Sequence, residues 1–156
     1  MFGAAHNVDR VNLDHDLPDP FPSFGTYVMA VVDGDLLYTS GHVPFDGTTL
    51  VTGKLGYPLT VEQGYDAARI AALSMLATIR KELGDLARVR RVISLTGTVN
   101  ATPEFTQHTQ VIDGASDLLV EVFGDAGKHA RLAVGVNSLP ADIALEVQAI
   151  IAIHPA

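Results

Sequence analysis

Between Thr60 and Gly84 the apolar positions Val61, Tyr65, Ala68, Ala72, Leu76, Ile79 and Leu83 recur at steps of three and four residues. That spacing draws one apolar stripe down an α-helix. Thr60 with Gln63 makes a capping box at its start, and Gly84 supplies its stop. Ala67, Ala68, Ala71 and Ala72 keep its buried side low, so that it can lie close on a sheet. Upstream, apolar runs at residues 26–32 and 36–39 flank Asp33-Gly34-Asp35, the punctuation of a β-hairpin. Residues 48–52 predict a further short strand.

Downstream, residues 89–100 predict a strand in which Val92, Ser94, Thr96 and Thr98 alternate with Ile93, Leu95, Gly97 and Val99. Thr102 and Pro103 predict the start of a second helix that runs through Phe105 to about residue 123, with Gly114 as a weak point inside it. Gly124 and Gly127 close it. In the next strand Arg131, Ala133 and Gly135 share one face, and Leu132, Val134 and Val136 the other. In the last, Ile143 to Ile153 in steps of two form an apolar face, and Glu146 sits mid-way along a mixed one. Residues 1–25, with Asp9, Asp14, Asp16, Asp19 and three prolines, read as an N-terminal arm before a single α+β domain over 26–156.

At 156 residues the chain is long enough to bury a core without a staple. Cysteine is absent, which removes thiol nucleophiles and disulfides and agrees with a reducing, cytoplasmic setting. No apolar run reaches spanning length and the start lacks a leader pattern, so no membrane partner is expected. A net charge of -8 argues against nucleic acid. The basic group Arg80, Lys81, Arg88, Arg90 and Arg91 is read as cations placed at a helix C-terminus. A hydrophobic content of 47% predicts more buried surface than one small domain uses, hence self-association.

Two charges stand inside "HARLAVGVNSLPADIALEV", residues 129–147. Arg131 looks along small neighbours, which leaves room for an anion on its guanidinium. An Arg131–Glu146 ion pair across neighbouring strands, or an arginine reaching a second copy, explains the same pattern equally well. The six histidines, His6, His15, His42, His108, His129 and His154, show no metal-ligand spacing, so no metal is expected.

That segment, with "YVMAVVDGDLLYTSGHVP" at 27–44 and the order of the helices, resembles the RidA/YjgF family of reactive-intermediate deaminases over about residues 24–153. The resemblance implies a chorismate-mutase-like fold, a mixed sheet backed by two helices, assembled as a homotrimer with clefts between subunits. It implies that Arg131 binds a substrate carboxylate, that Tyr27 and Ser40 line the cleft, that Gly41 admits close backbone approach, and that Glu146 serves the hydrolytic water. The implied reaction turns an enamine or 2-imino acid into a 2-keto acid and ammonia without metal or organic cofactor.

The chain departs from the family pattern at Ala133, where cysteine is usual, at Gly135, at His42, where glutamine is common, and at Asp113, where the family carries asparagine. Ala133, His42 and Asp113 are counted, with Arg131 and Gly41, among the substrate-binding candidates, and Asp113 repels a carboxylate unless it is paired with His42 or Arg131. Three functions stand in order: imine hydrolysis, a non-catalytic trimer that binds small carboxylates, and a ribonuclease, against which the acidic charge counts.

Overall fold

The capping box forms as the spacing predicts: Thr60 Oγ1 accepts from the Gln63 amide at 3.2 Å, and Gln63 Oε1 from the Thr60 amide at 2.9 Å. The helix it opens, α1 (Val61–Leu83), ends at Gly84 with φ +82°. The computed structural model describes residues 17–156; Asp9, Asp14, Asp16, His6 and His15 lie outside the described residues. Around α1 stand strands β1 (Ala30–Asp33) and β2 (Leu36–Thr39), then β3 (Val89–Asn100), helix α2 (His108–Phe123), β4 (Ala130–Val136) and β5 (Leu145–Ile153). They form a five-stranded sheet in the order β1-β2-β5-β3-β4. Every pairing is antiparallel except β3 with β4, which needs α2 as its crossover.

Both helices pack on one face of this mixed sheet. Ala67, Ala68, Ala71 and Ala72 are buried, as are Met75, Leu76 and Ile79 further along the same helix. Each fully buried large apolar side chain contributes on the order of 2 kcal/mol. At Gly114 an added Cβ would stand 2.0 Å from the Tyr65 carbonyl oxygen, and at Gly97 it would stand 2.5 Å from Ile112 Cδ1. The glycine that propensity marks as a weak point is therefore where the α2 backbone lies directly against that of α1. Among the described residues no helix lies over the other face of the sheet, and Val31, Tyr38, Ile93 and Leu132 are exposed.

Four expectations change. The first strand shortens to Ala30–Asp33, because residues 24–27 bend, with the Tyr27 amide on the Gly25 carbonyl. Residues 48–52 make isolated bridges, Phe45 to Leu50 and Thr52 to Ile143, because the Asp46 carboxylate captures the Thr48 and Thr49 amides. The second helix begins at His108: the Thr102 amide goes to Leu55 O and the Phe105 amide back to Thr102, which holds this stretch as a turn. In β3 a register shift between Val92 and Ser94 resets the alternation, so Val92, Leu95, Gly97 and Val99 are buried. Of the basic group, Arg80 and Lys81 stand in the last turn of α1 and Arg88 donates to Leu83 O at 3.2 Å, as read, whereas Arg90 and Arg91 lie on β3 and reach Asp35 and the Lys128 carbonyl. Among the described residues no helix is long and apolar enough to cross a membrane.

Candidate functional site

Arg131 pairs in register with Leu95, whose side chain is buried beneath the helices, so Arg131 points to the helix side of edge strand β4. Its Nη1 donates to Asp113 Oδ1 at 2.7 Å and to Ser116 Oγ at 3.0 Å, both on α2. Its Nη2 donates to the Thr109 carbonyl at 3.4 Å. The Arg131 side chain is 18% exposed and that of Asp113 44% exposed. Ser116 is held in turn by His129 Nε2 at 2.9 Å, while His129 Nδ1 lies 2.6 Å from the Gly127 carbonyl. A carbonyl only accepts, so Nδ1 carries a proton, and in the neutral ring Nε2 accepts from the serine hydroxyl. His129, Ser116, Arg131 and Asp113 thus make one fixed chain of polar contacts. Ala133 follows Arg131 on the same face, and Gly135 then makes room for the His108 ring, whose Nε2 would lie 2.4 Å from any Cβ added there.

Glu146 occupies the opposite face. It pairs with Thr98 on β3, and a Cβ on Gly41 would stand 3.3 Å from its carboxyl carbon, so the glycine is what lets the Ser40-Gly41 backbone lie against the carboxylate. Half-burial pushes the Glu146 pKa up, because desolvation disfavours the ionised form. The neighbouring Thr98 hydroxyl is buried with no hydrogen-bond partner. Ser40 Oγ donates to the Val28 carbonyl at 2.6 Å, which fixes the turn beside half-exposed Tyr27. The Tyr27 oxygen accepts from the Phe24 amide at 3.3 Å.

The residues selected from sequence therefore fall into two groups. Arg131, Asp113 and Ala133 lie at the α2–β4 edge, and Tyr27, Ser40, Gly41 and Glu146 lie about the open sheet face. An Arg131–Glu146 ion pair within the chain does not form, because β3 stands between their strands and the two side chains leave opposite faces. His42 joins neither group. It is fully buried, with Nδ1 2.8 Å from the Ser40 carbonyl and Nε2 2.8 Å from Thr78 Oγ1, so both nitrogens are occupied and a ligand has no access. Of the two partners foreseen for Asp113, the structure supplies Arg131. Ser116 and Thr98 escaped the sequence reading. The signals that could have found them were the three-residue step from Asp113 to Ser116 on a helix and the register of Thr98 against Glu146.

Comparison with known proteins places the chain and its fold. The family model for YjgF/chorismate mutase-like, putative endoribonuclease matches residues 9–150. Protein TCP17 of Trypanosoma cruzi is 42% identical over 97% of this chain and 94% of its own length. A putative endoribonuclease from Shewanella oneidensis superposes with a TM-score of 0.85 at 34% identity, over 88% of this chain and 91% of that one. TdcF of E. coli, solved with bound serine, superposes at 0.59 with 25% identity, over 88% and 94%. From its matched length and its mixed sheet with two helices, the chain belongs to the YjgF/chorismate mutase-like family.

Proposed function

We propose that this protein hydrolyses 2-imino acids, and their enamine tautomers, to 2-keto acids and ammonia in a cleft between two copies of the chain in a homotrimer. One observation carries the reading: Arg131 and Glu146 leave opposite faces of one sheet, so a single small ligand meets both only where two subunits adjoin. The uncovered sheet face with Val31, Tyr38, Ile93 and Leu132 supports such a neighbour. The serine held by TdcF supports a ligand of amino-acid size. One subunit would supply Arg131 and Asp113, and the next Tyr27, Ser40, Gly41 and Glu146.

In this scheme Arg131 holds the carboxylate and fixes the imine carbon, an orientation effect worth several kcal/mol of barrier. Glu146, with its raised proton affinity, takes a proton as water oxygen attacks that carbon and the C=N π electrons move to nitrogen. The unpartnered Thr98 hydroxyl beside it is placed to orient that water. Glu146 then returns that proton to nitrogen to give a carbinolamine, takes the carbinol O–H proton and passes it to the same nitrogen as the C–N bond breaks, so that the carbinol oxygen becomes the keto oxygen and the nitrogen leaves as ammonia. Ser40 spends its hydrogen on Val28, so its oxygen accepts from an N–H, while the Tyr27 hydroxyl donates.

The test generates imino acids in place with an amino-acid oxidase and traps them with semicarbazide. The expected result is less semicarbazone with the wild-type protein and no effect with Arg131→Ala. Retained carboxylate binding without any acceleration would instead favour a trimer that binds and does not turn over, a reading to which the closed Arg131–Asp113 pair lends weight. Ribonuclease activity is disfavoured by the net charge of -8 and by that same internal neutralisation of Arg131.

A further inference from the structure

The anion anchor is not a bare cation. Arg131 Nη1 is shared by Asp113 and Ser116, which leaves Nη2, with its single long contact to the Thr109 carbonyl, as the group that can take a ligand oxygen. The adjoining surface is negative. Asp113 lines a groove of about 470 Å³ between α1 and α2 together with Glu62, Asp66 and Asp117. Arg69 of α1 is held in a two-pronged pair by Glu121 at 3.0 and 2.6 Å. A simple carboxylate therefore meets a guanidinium whose charge is cancelled and a groove that repels it.

We propose that Asp113 makes this a site for zwitterions, in which the ligand carboxylate lies on Arg131 and a cationic nitrogen one carbon away lies on the Asp113 carboxylate. The inference rests on the role of Arg131 proposed above and adds a specificity-determining residue to it. Asp113 uses Oδ1 for Arg131, and Oδ2 has no hydrogen-bond partner among the described residues, so one oxygen is left for a ligand N–H. A ligand of this kind reproduces the dipole of the ion pair, anion to cation and cation to anion, without displacing it. For a 2-imino acid the selected form is the protonated iminium. Its carbon is the more electrophilic, so one carboxylate serves both selection and reactivity. Ser116, pinned by His129, keeps the guanidinium in register with Asp113.

Calorimetry on the full-length protein tests this with L-alanine and propanoate, which share a skeleton and differ by the ammonium group. One charge-assisted hydrogen bond predicts that wild type prefers L-alanine by about tenfold. In Asp113→Asn, which keeps the shape and can still accept from Arg131, that preference is expected to vanish as alanine weakens and propanoate gains. Propanoate binding wild type as tightly as alanine, or a preference that survives in Asp113→Asn, overturns the proposal. If propanoate binds in an Arg131-dependent manner with no preference for the ammonium, only the role of Asp113 fails. If neither ligand binds wild type, the carboxylate role of Arg131 fails with it.

Discussion

Lowering the pH should unlock His42 before it disturbs the rest of the core. Its Nδ1 faces a carbonyl, which fixes the neutral tautomer and makes Nε2 the acceptor of the Thr78 hydroxyl. Burial lowers its pKa from 6.5 to about 4, against a smaller opposing effect of the Ser40 hydrogen bond. Below pH 6.5 the unfolded chain takes the proton more readily than the folded one, so stability is fully present above that value and is lost as pH falls toward 4. At 1.36 kcal/mol for each unit of difference the loss reaches about 3 kcal/mol by pH 4, with roughly half gone near pH 5.2. The assay is urea unfolding of wild type and His42→Gln at one fixed protein concentration, between about pH 7 and about pH 4. Glutamine does not titrate, and its amide can donate to Ser40 O and accept from Thr78. All other titrating groups are common to both proteins, so the stability of wild type relative to the variant should fall by about 3 kcal/mol across the range. Curves that run parallel within about 0.5 kcal/mol would refute the reasoning, because they would mean that the imidazolium is accommodated at a position sealed from water.

Gly114→Ala should cost about 3 kcal/mol in thermal or urea unfolding, since its Cβ would sit 2.0 Å from the Tyr65 carbonyl oxygen and both neighbours are helix backbone. A loss below about 1 kcal/mol would show that α1 and α2 separate easily. Arg131→Ala should weaken carboxylate binding by about 2–4 kcal/mol in calorimetry while far-ultraviolet circular dichroism stays unchanged. Equal binding by the two proteins removes Arg131 from the site. Glu146 has a raised folded pKa, so stability is fully present below the ordinary glutamate value and falls as pH rises through the raised one. Glu146→Gln should therefore abolish that fall in urea unfolding and, in the semicarbazide assay, lower the rate more than substrate binding.

The sequence by itself determined the local elements and the identities of the chemical groups. The α1 stripe, its Thr60–Gln63 cap, the two-residue turn at Gly34-Asp35 and the extent of β3 all follow from interactions within a few residues. Such contacts repeat with the period of the chain, which is why pattern reads them. Where a distant contact competes with local preference the pattern fails. Thr102 and Pro103 look like a helix start, yet Leu55 takes the Thr102 amide and the helix waits until His108. Gly114 looks like a defect until α1 is laid against it. The same limit governs the site. Alternation correctly put Arg131 with Ala133 and Gly135, and Glu146 on the mixed face of its strand. Only the strand order β5-β3-β4 decided that the two charges leave opposite faces, with a whole strand between them. Likewise only the packing of α2 over β4 decided that Arg131 meets Asp113, and that of α1 over the sheet that His42 is sealed beneath Thr78. Side-chain direction is a property of each strand alone, whereas which directions converge is set by pairings between residues far apart in the chain.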